Sequence, residues 1–215
     1  EIFIDLRWID LHVRLGETAR AAEMIAATRE RALRSVSPEM TILLDALEAG
    51  LWVQIGDLDR ARELVESAEA GMSAHPPFGG GHEQALIGVA RGTLCLKAGD
   101  GPGAEAALGR AYAAAIASRD MPIRATVAVA VAGVAALYGR YQDMATLLGA
   151  AARLRGAHDR TDLQVRGLSA RGQAELGDEG FAAAYEKGWQ RTPSAALVCA
   201  DPARLRNTDS AGIGA

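Results

Sequence analysis

Aromatic residues make up only 5% of this 215-residue sequence. Strands packed face to face draw on aromatic and β-branched side chains, so the scarcity argues against a β-sandwich. Cysteine is scarcer still: Cys95 and Cys199 stand alone in apolar sequence, without CxxC spacing. That excludes a disulfide framework and fits a reducing cytoplasm. There is no excess of positive charge, since the net charge is -4 and the pI about 5.6. A protein that grips phosphate backbones carries a basic stripe, so direct nucleic-acid binding is not expected. Long apolar runs are missing too. The longest, "ATVAVAVAGVAALY" at 125–138, has 14 residues, short of the roughly 20 needed to span a bilayer. Its Val/Ala alternation admits a strand, but the alanine content and flanking helical periods favour a buried helix. No initiator Met, signal peptide or cleavage pattern opens the sequence, which is expected to be a fragment of a longer protein.

What the sequence does have is alanine, and a repeat. Glycines that end one helical pattern and precede another stand at Gly16, Gly56, Gly99, Gly139 and Gly177, giving spacings of 40, 43, 40 and 38. Five residues after each come Ala21, Ala61, Ala104, Met144 and Ala182; seven before come Ile9, Ala49, Gly92, Ala132 and Ala170. Twelve after come Thr28, Ala68, Ala111, Ala151 and Trp189. Two helices joined by a tight turn approach closely only where side chains are small. Each glycine closes the first helix in the left-handed conformation, and Glu17, Asp57, Asp100 and Asp178 then stand where they can cap the next. One such pair cannot bury its own apolar face, so the pairs are expected to stack. The expected fold is all-α: a right-handed superhelix of about five antiparallel helical hairpins, of tetratricopeptide type. It forms one domain over 1–203, with units at about 1–36, 37–74, 83–119, 121–158 and 162–192, a short C-terminal helix, and a flexible tail at 204–215.

The units resemble tetratricopeptide repeats but exceed the usual 34 residues. "YGRYQDMATLLGAAARLRGAHD" and "AELGDEGFAAAYEKGWQRTPSAALVCA" resemble the C-terminal region of large actinobacterial transcriptional regulators, which join a DNA-binding module to a nucleotide-binding ATPase and a helical repeat array. The resemblance covers residues 138–200. The family's terminal "T-x-E-E-A" segment is here degraded to "TPSAALVCA". The resemblance implies a partner- or ligand-sensing arm in the cytoplasm. Neither GxxxxGK[ST] nor a basic recognition helix occurs in this sequence.

No catalytic constellation emerges, because the carboxylates are spread out and Ser and His never cluster with an acid. "HPPFGGGH" at 75–82 lacks a third metal ligand and the Lys of a phosphate loop, and reads as an inter-repeat loop. Arg153, Arg155, Arg160, Arg166 and Arg171, beside His158, read as a solvated face. Phe181, Tyr185 and Trp189 share one helical face and read as packing at the end of the array. The chain is therefore expected to be a non-enzyme without cofactor or metal, with a protein or peptide segment as partner and neither membrane nor nucleic acid as a direct one. Homo-oligomers are possible. A free-standing scaffold and a substrate-binding accessory domain of an enzyme are the alternatives.

In the tetratricopeptide resemblance the first helix of each pair lines the concave side. Counting back thirteen, ten, six, three and two residues from each glycine gives Phe3, Leu6, Asp10, Val13 and Arg14 in unit one, and Leu43, Ala46, Gly50, Val53 and Gln54 in unit two. Unit three gives Leu86, Val89, Thr93, Leu96 and Lys97, and unit four Thr126, Val129, Gly133, Ala136 and Leu137. Leu6, Asp10, Arg14, Val53, Gln54, Val89, Leu96 and Lys97 are the partner-binding candidates. This largely apolar face suits an apolar or amphipathic helical segment. Equally, a tight superhelix could close on these residues and leave no groove.

Overall fold

The computed structural model describes residues 2–35, 38–74 and 81–207. Among them are eleven helices and no strand: α1 (Ile2–Leu15), α2 (Thr18–Ser35), α3 (Pro38–Ile55), α4 (Leu58–Ala74), α5 (His82–Lys97), α6 (Gly101–Ser118), α7 (Met121–Leu137), α8 (Tyr141–Arg155), α9 (Leu163–Trp189), α10 (Pro193–Cys199) and α11 (Ala203–Asn207). Most of the loop at 75–82 and the tail beyond 207 lie outside the described residues. The segment 125–138 belongs to the buried helix α7, where Val127, Val131 and Val134 are all within 1% of full burial. A helix apolar all round is one buried all round, and here that outweighs the strand-like alternation. No helix among the described residues is long and apolar enough to cross a membrane.

The five repeat glycines all have positive φ, from 69° at Gly139 to 98° at Gly56. After four of them the next N–H reaches back five residues: Glu17 to His12, Asp57 to Trp52, Asp100 to Cys95 and Arg140 to Ala135. This is the bond that satisfies the last carbonyls of a helix closed by a left-handed glycine. Asp57 and Asp100 then accept from the N–H groups of Arg60 and Gly103, at 3.0 and 2.9 Å. Glu17 instead accepts from His12 Nδ1 at 2.5 Å.

The helices pack in neighbouring pairs, α1 on α2, α3 on α4, α5 on α6 and α7 on α8, and the odd-numbered helices also touch in the order α1, α3, α5, α7, α9. The small positions explain the close approach. Ala21, Ala61, Ala104 and Met144 have no exposed surface, and neither have Ile9, Ala49 and Ala132. In α5, a Cβ on Gly88 would lie 2.8 Å from that of Ala111, and one on Gly92 would lie 2.6 Å from Leu108. The largest buried cluster spans α5 to α8 and takes in Ala196, Ala200 and Leu205 at the C-terminal end. Leu205 is buried in α11, and its carbonyl accepts from Arg140 Nη1.

The fifth pair departs from the other four. Within α9, Gly177 takes φ 70° and ψ 163°. Gly172 nevertheless lies against Phe181, nine residues on, whereas nine residues of straight helix span about 13.5 Å. The chain therefore folds back at a single residue. The expected small positions Ala170 and Ala182 are exposed, and Gly172, Ala184 and Gly188 are buried instead. A Cβ on Gly188 would lie 2.0 Å from the carbonyl oxygen of Thr146, and one on Gly149 would lie 1.9 Å from that of Tyr185. The second segment of α9 thus rests backbone to backbone on α8.

Candidate functional site

One cavity of about 480 Å³ opens on the inner side of the row of odd-numbered helices. α1, α3, α5 and α7 all contribute to it. Phe3, Leu6, Leu43, Leu47, Leu86 and Ile123 form its apolar wall. At one end stand Arg7, Asp10, Arg14 and Arg155, and the lining also includes His82, Glu83, Ser118 and Asp120.

The arginine end is fixed by the turn between α8 and α9. Asp162 caps α9 with one oxygen, accepting from the N–H groups of Gln164 and Val165 at 2.9 and 3.2 Å, while its other oxygen accepts from Arg14 Nε at 2.8 Å. Asp159 accepts from the N–H groups of Thr161 and Asp162 through Oδ1, and through Oδ2 from Arg155 Nη1 and, at 2.5 Å, Arg14 Nη2. A Cβ on Gly16 would lie 3.2 Å from Leu163. The end of α1 therefore meets the start of α9.

Burial shapes the charges here. It pushes the Asp10 carboxyl above its ordinary value, and Arg14 and Arg7 offset this only in part. Burial opposes ionisation of Asp159 as well, yet the N–H groups of Asp162 and Thr161, with Arg155 and Arg14, hold its carboxyl below the usual range. Arg155 is pulled below its ordinary value by burial and by the neighbouring Arg14. Burial opposes the charge of Arg14 as well, but the bond to Asp162 together with the carboxylate charges of Asp162, Asp10 and Asp159 raises its value. Elsewhere in the lining, His82 Nδ1 sits 2.9 Å from Asp120 Oδ2, and Glu83 Oε2 is buried without a hydrogen-bond partner. Among the described residues no group of three or more His, Cys, Asp or Glu is placed to hold a metal ion.

The inward-facing candidates divide into two sets. Leu6, Asp10 and Arg14 line the cavity, together with Phe3, Leu43, Leu86 and Thr126. Val53 is only 3% exposed and packs with Ala49, Ala61, Val65 and Leu94. Gln54 is exposed, and its side-chain amide donates to the Val13 carbonyl at 2.7 Å. Val89 and Leu96 are half-buried against the large cluster, Leu96 filling the space beside Gly133. Lys97 is exposed. Val53, Val89 and Leu96 are thus covered by the protein's own side chains, and the cavity lies over Leu6, Asp10 and Arg14. Arg155 reads in the sequence as part of a solvated face, and its pairing with Asp159 brings it into the lining instead. His82 reads as loop and begins α5; its pairing with Asp120, 38 residues on, has no local signature. No family model, curated protein or solved structure matches this chain.

Proposed function

We propose that the chain is a non-catalytic sensing and interaction domain of a cytoplasmic transcriptional regulator, a right-handed superhelix of five helical hairpins whose inner cavity receives an amphipathic helical segment. The observation that carries this is the joint lining of one cavity by α1, α3, α5 and α7, apolar along its wall and charged at one end. Sites of this size and mixture belong to recognition of apolar bodies with a few orienting polar groups. A helix is about 10–12 Å across, so about 480 Å³ holds only about one turn of it. The apolar anchors enter, and the rest of the segment lies across the mouth, where Phe3 is 69% exposed. The resemblance of residues 138–200 to the ends of large regulators supports the same reading. A small amphipathic molecule as the sensed ligand is the second reading, favoured by the volume, which lies in the ordinary range for such sites.

The test is photo-crosslinking in the full-length protein, with a benzophenone amino acid replacing Phe3. Crosslinks to an amphipathic segment of another domain or of an activating protein are expected. Crosslinks confined to residues 1–215 would remove the segment reading.

A further inference from the structure

The inner cavity is not the only face that the repeat leaves available. Counting back from the turn glycine, positions twelve, eight and five lie on the side of each odd-numbered helix that meets the preceding pair. In α3 these are Leu44, Glu48 and Leu51, in α5 Ile87, Arg91 and Leu94, and in α7 Val127, Val131 and Val134. All seven aliphatic residues are at most 4% exposed. The two charged ones are paired with the preceding even-numbered helix, Glu48 with Arg29 at 2.7 Å and Arg91 with Glu69 at 2.5 Å. Arg29 and Glu69 both stand thirteen residues after their own turn glycine. Tyr112 holds that position in α6, and it packs against the buried cluster that contains Val131. At two interfaces the residue eight before a turn glycine thus pairs with the residue thirteen after the preceding one, and at the third an aliphatic residue and a tyrosine hold those positions.

In α1 the same three positions are Ile4, Trp8 and Leu11, and they are 62%, 50% and 37% exposed. All three are apolar. Their aliphatic equivalents in α3, α5 and α7 are all buried, and a tryptophan half exposed on a helix face is a large apolar surface left in water. We propose that this face of α1 is a docking surface for a further helix pair of the chain's own repeat type, one with small residues where its helices approach and an apolar or aromatic residue at the position equivalent to Tyr112. The three interior interfaces are built on the same register, and continuity with them singles out this occupant. It goes beyond the cavity reading and does not depend on it.

The experiment appends a second copy of residues 82–120, the pair that natively covers an all-apolar face, ahead of residue 1 of the full chain. Tryptophan is replaced by 5-fluorotryptophan, and the Trp8 resonance is assigned by Trp8→Phe. In the unextended chain Trp8 should show the solvent isotope shift of an exposed indole. In the extended protein that shift should be lost, helicity should rise by the appended pair, and Tyr112→Arg in the appended copy alone should restore the exposure. Three results would each overturn the proposal: an appended pair that adds no helicity, a Trp8 that stays solvent-exposed beside a folded pair, or protection of Trp8 in the unextended chain that grows with concentration alongside dimer in sedimentation, which would assign the face to a second copy.

Discussion

The pair α5 and α6 and the two segments of α9 turn on the same kind of residue, a glycine with positive φ, and pack by different rules. In the first pair, Gly88 and Gly92 face Ala111 and Leu108, so the two helices of the unit are each other's nearest neighbours. In α9 the small residues Ala184 and Gly188 face α8, while Gly172 and Gly180 serve the contact between its own two segments. The pair α5 and α6 is flanked on both sides and places Gly88 and Gly92 between its own helices. The last pair has its main neighbour on one side and lies backbone to backbone on it. The position of a small residue thus reports which backbone is nearest, and the period of the repeat reports it only while every unit has the same neighbours.

The largest effect should come from the α8 and α9 contact. Gly149→Leu must displace the Tyr185 carbonyl, which a Cβ would approach to 1.9 Å. The expected loss is about 3 kcal/mol or more, at the top of the range for overpacking, read as a drop in the urea midpoint. An unchanged midpoint would mean that the fifth pair does not lie on α8 in solution.

Ala61→Leu and Ala182→Leu, at the same place in the repeat, separate the two rules directly. Ala61 is fully buried and Ala182 exposed, so the first should cost about 1 to 3 kcal/mol and the second less than about 0.5 kcal/mol. Equal losses would restore a uniform register through all five pairs.

A smaller effect is expected at the junction of the first and fifth pairs. Arg14→Met leaves Asp159 and Asp162 short of one partner, and with its side chain 29% exposed the loss should be about 1 to 2 kcal/mol. The Asp159 carboxyl is held below its usual value in the folded state, so its contribution is present above the unfolded value and disappears as pH falls through the folded one. The difference between wild type and Arg14→Met should therefore shrink in acid. A difference that grew on acidification would contradict the pairing.

The smallest effect has the opposite sign. Asp10 is raised above its ordinary value by burial, so the fold favours its protonated form. That contribution is complete below the unfolded value and is lost as pH rises through the folded one. Asp10→Asn should hold or slightly raise the melting temperature at pH 7, with the advantage fading towards pH 4. A clear loss at pH 7 would show that the carboxylate's attraction to Arg14 outweighs its burial.

Much of this was legible in the residues. Gly16, Gly56, Gly99, Gly139 and Gly177 mark five chain reversals because the left-handed conformation that closes a helix is nearly private to glycine. Ala21, Ala61 and Ala104 are buried because periodicity along one helix determines which face turns inward. Leu6, Leu43, Leu86 and Thr126 follow from the same counting. What escaped was everything set by distance along the chain. Arg14 meets Asp159 and Asp162 more than 140 residues on, and no local pattern records which acids will arrive beside it. Val53 and Leu96 share the register of Leu43 and Leu86 but pack, respectively, among Ala61, Val65 and Leu94 and against Gly133, so their space is already taken.

The junction at Arg14 also changes how disturbance travels through the molecule. In an open array each unit feels only its neighbours, and a perturbation at one end is diluted across every interface before it reaches the other. Here a guanidinium on α1 shares the carboxylates that cap α9 and order the turn before it, so the line of couplings becomes a circuit. Asp159 is shared by Arg155 in the cavity lining and Arg14 on the first helix, so a displacement of either arginine bears directly on the other's partner. Arg14 and Arg155 thus line the cavity and at the same time join α1 to the turn that leads into α9.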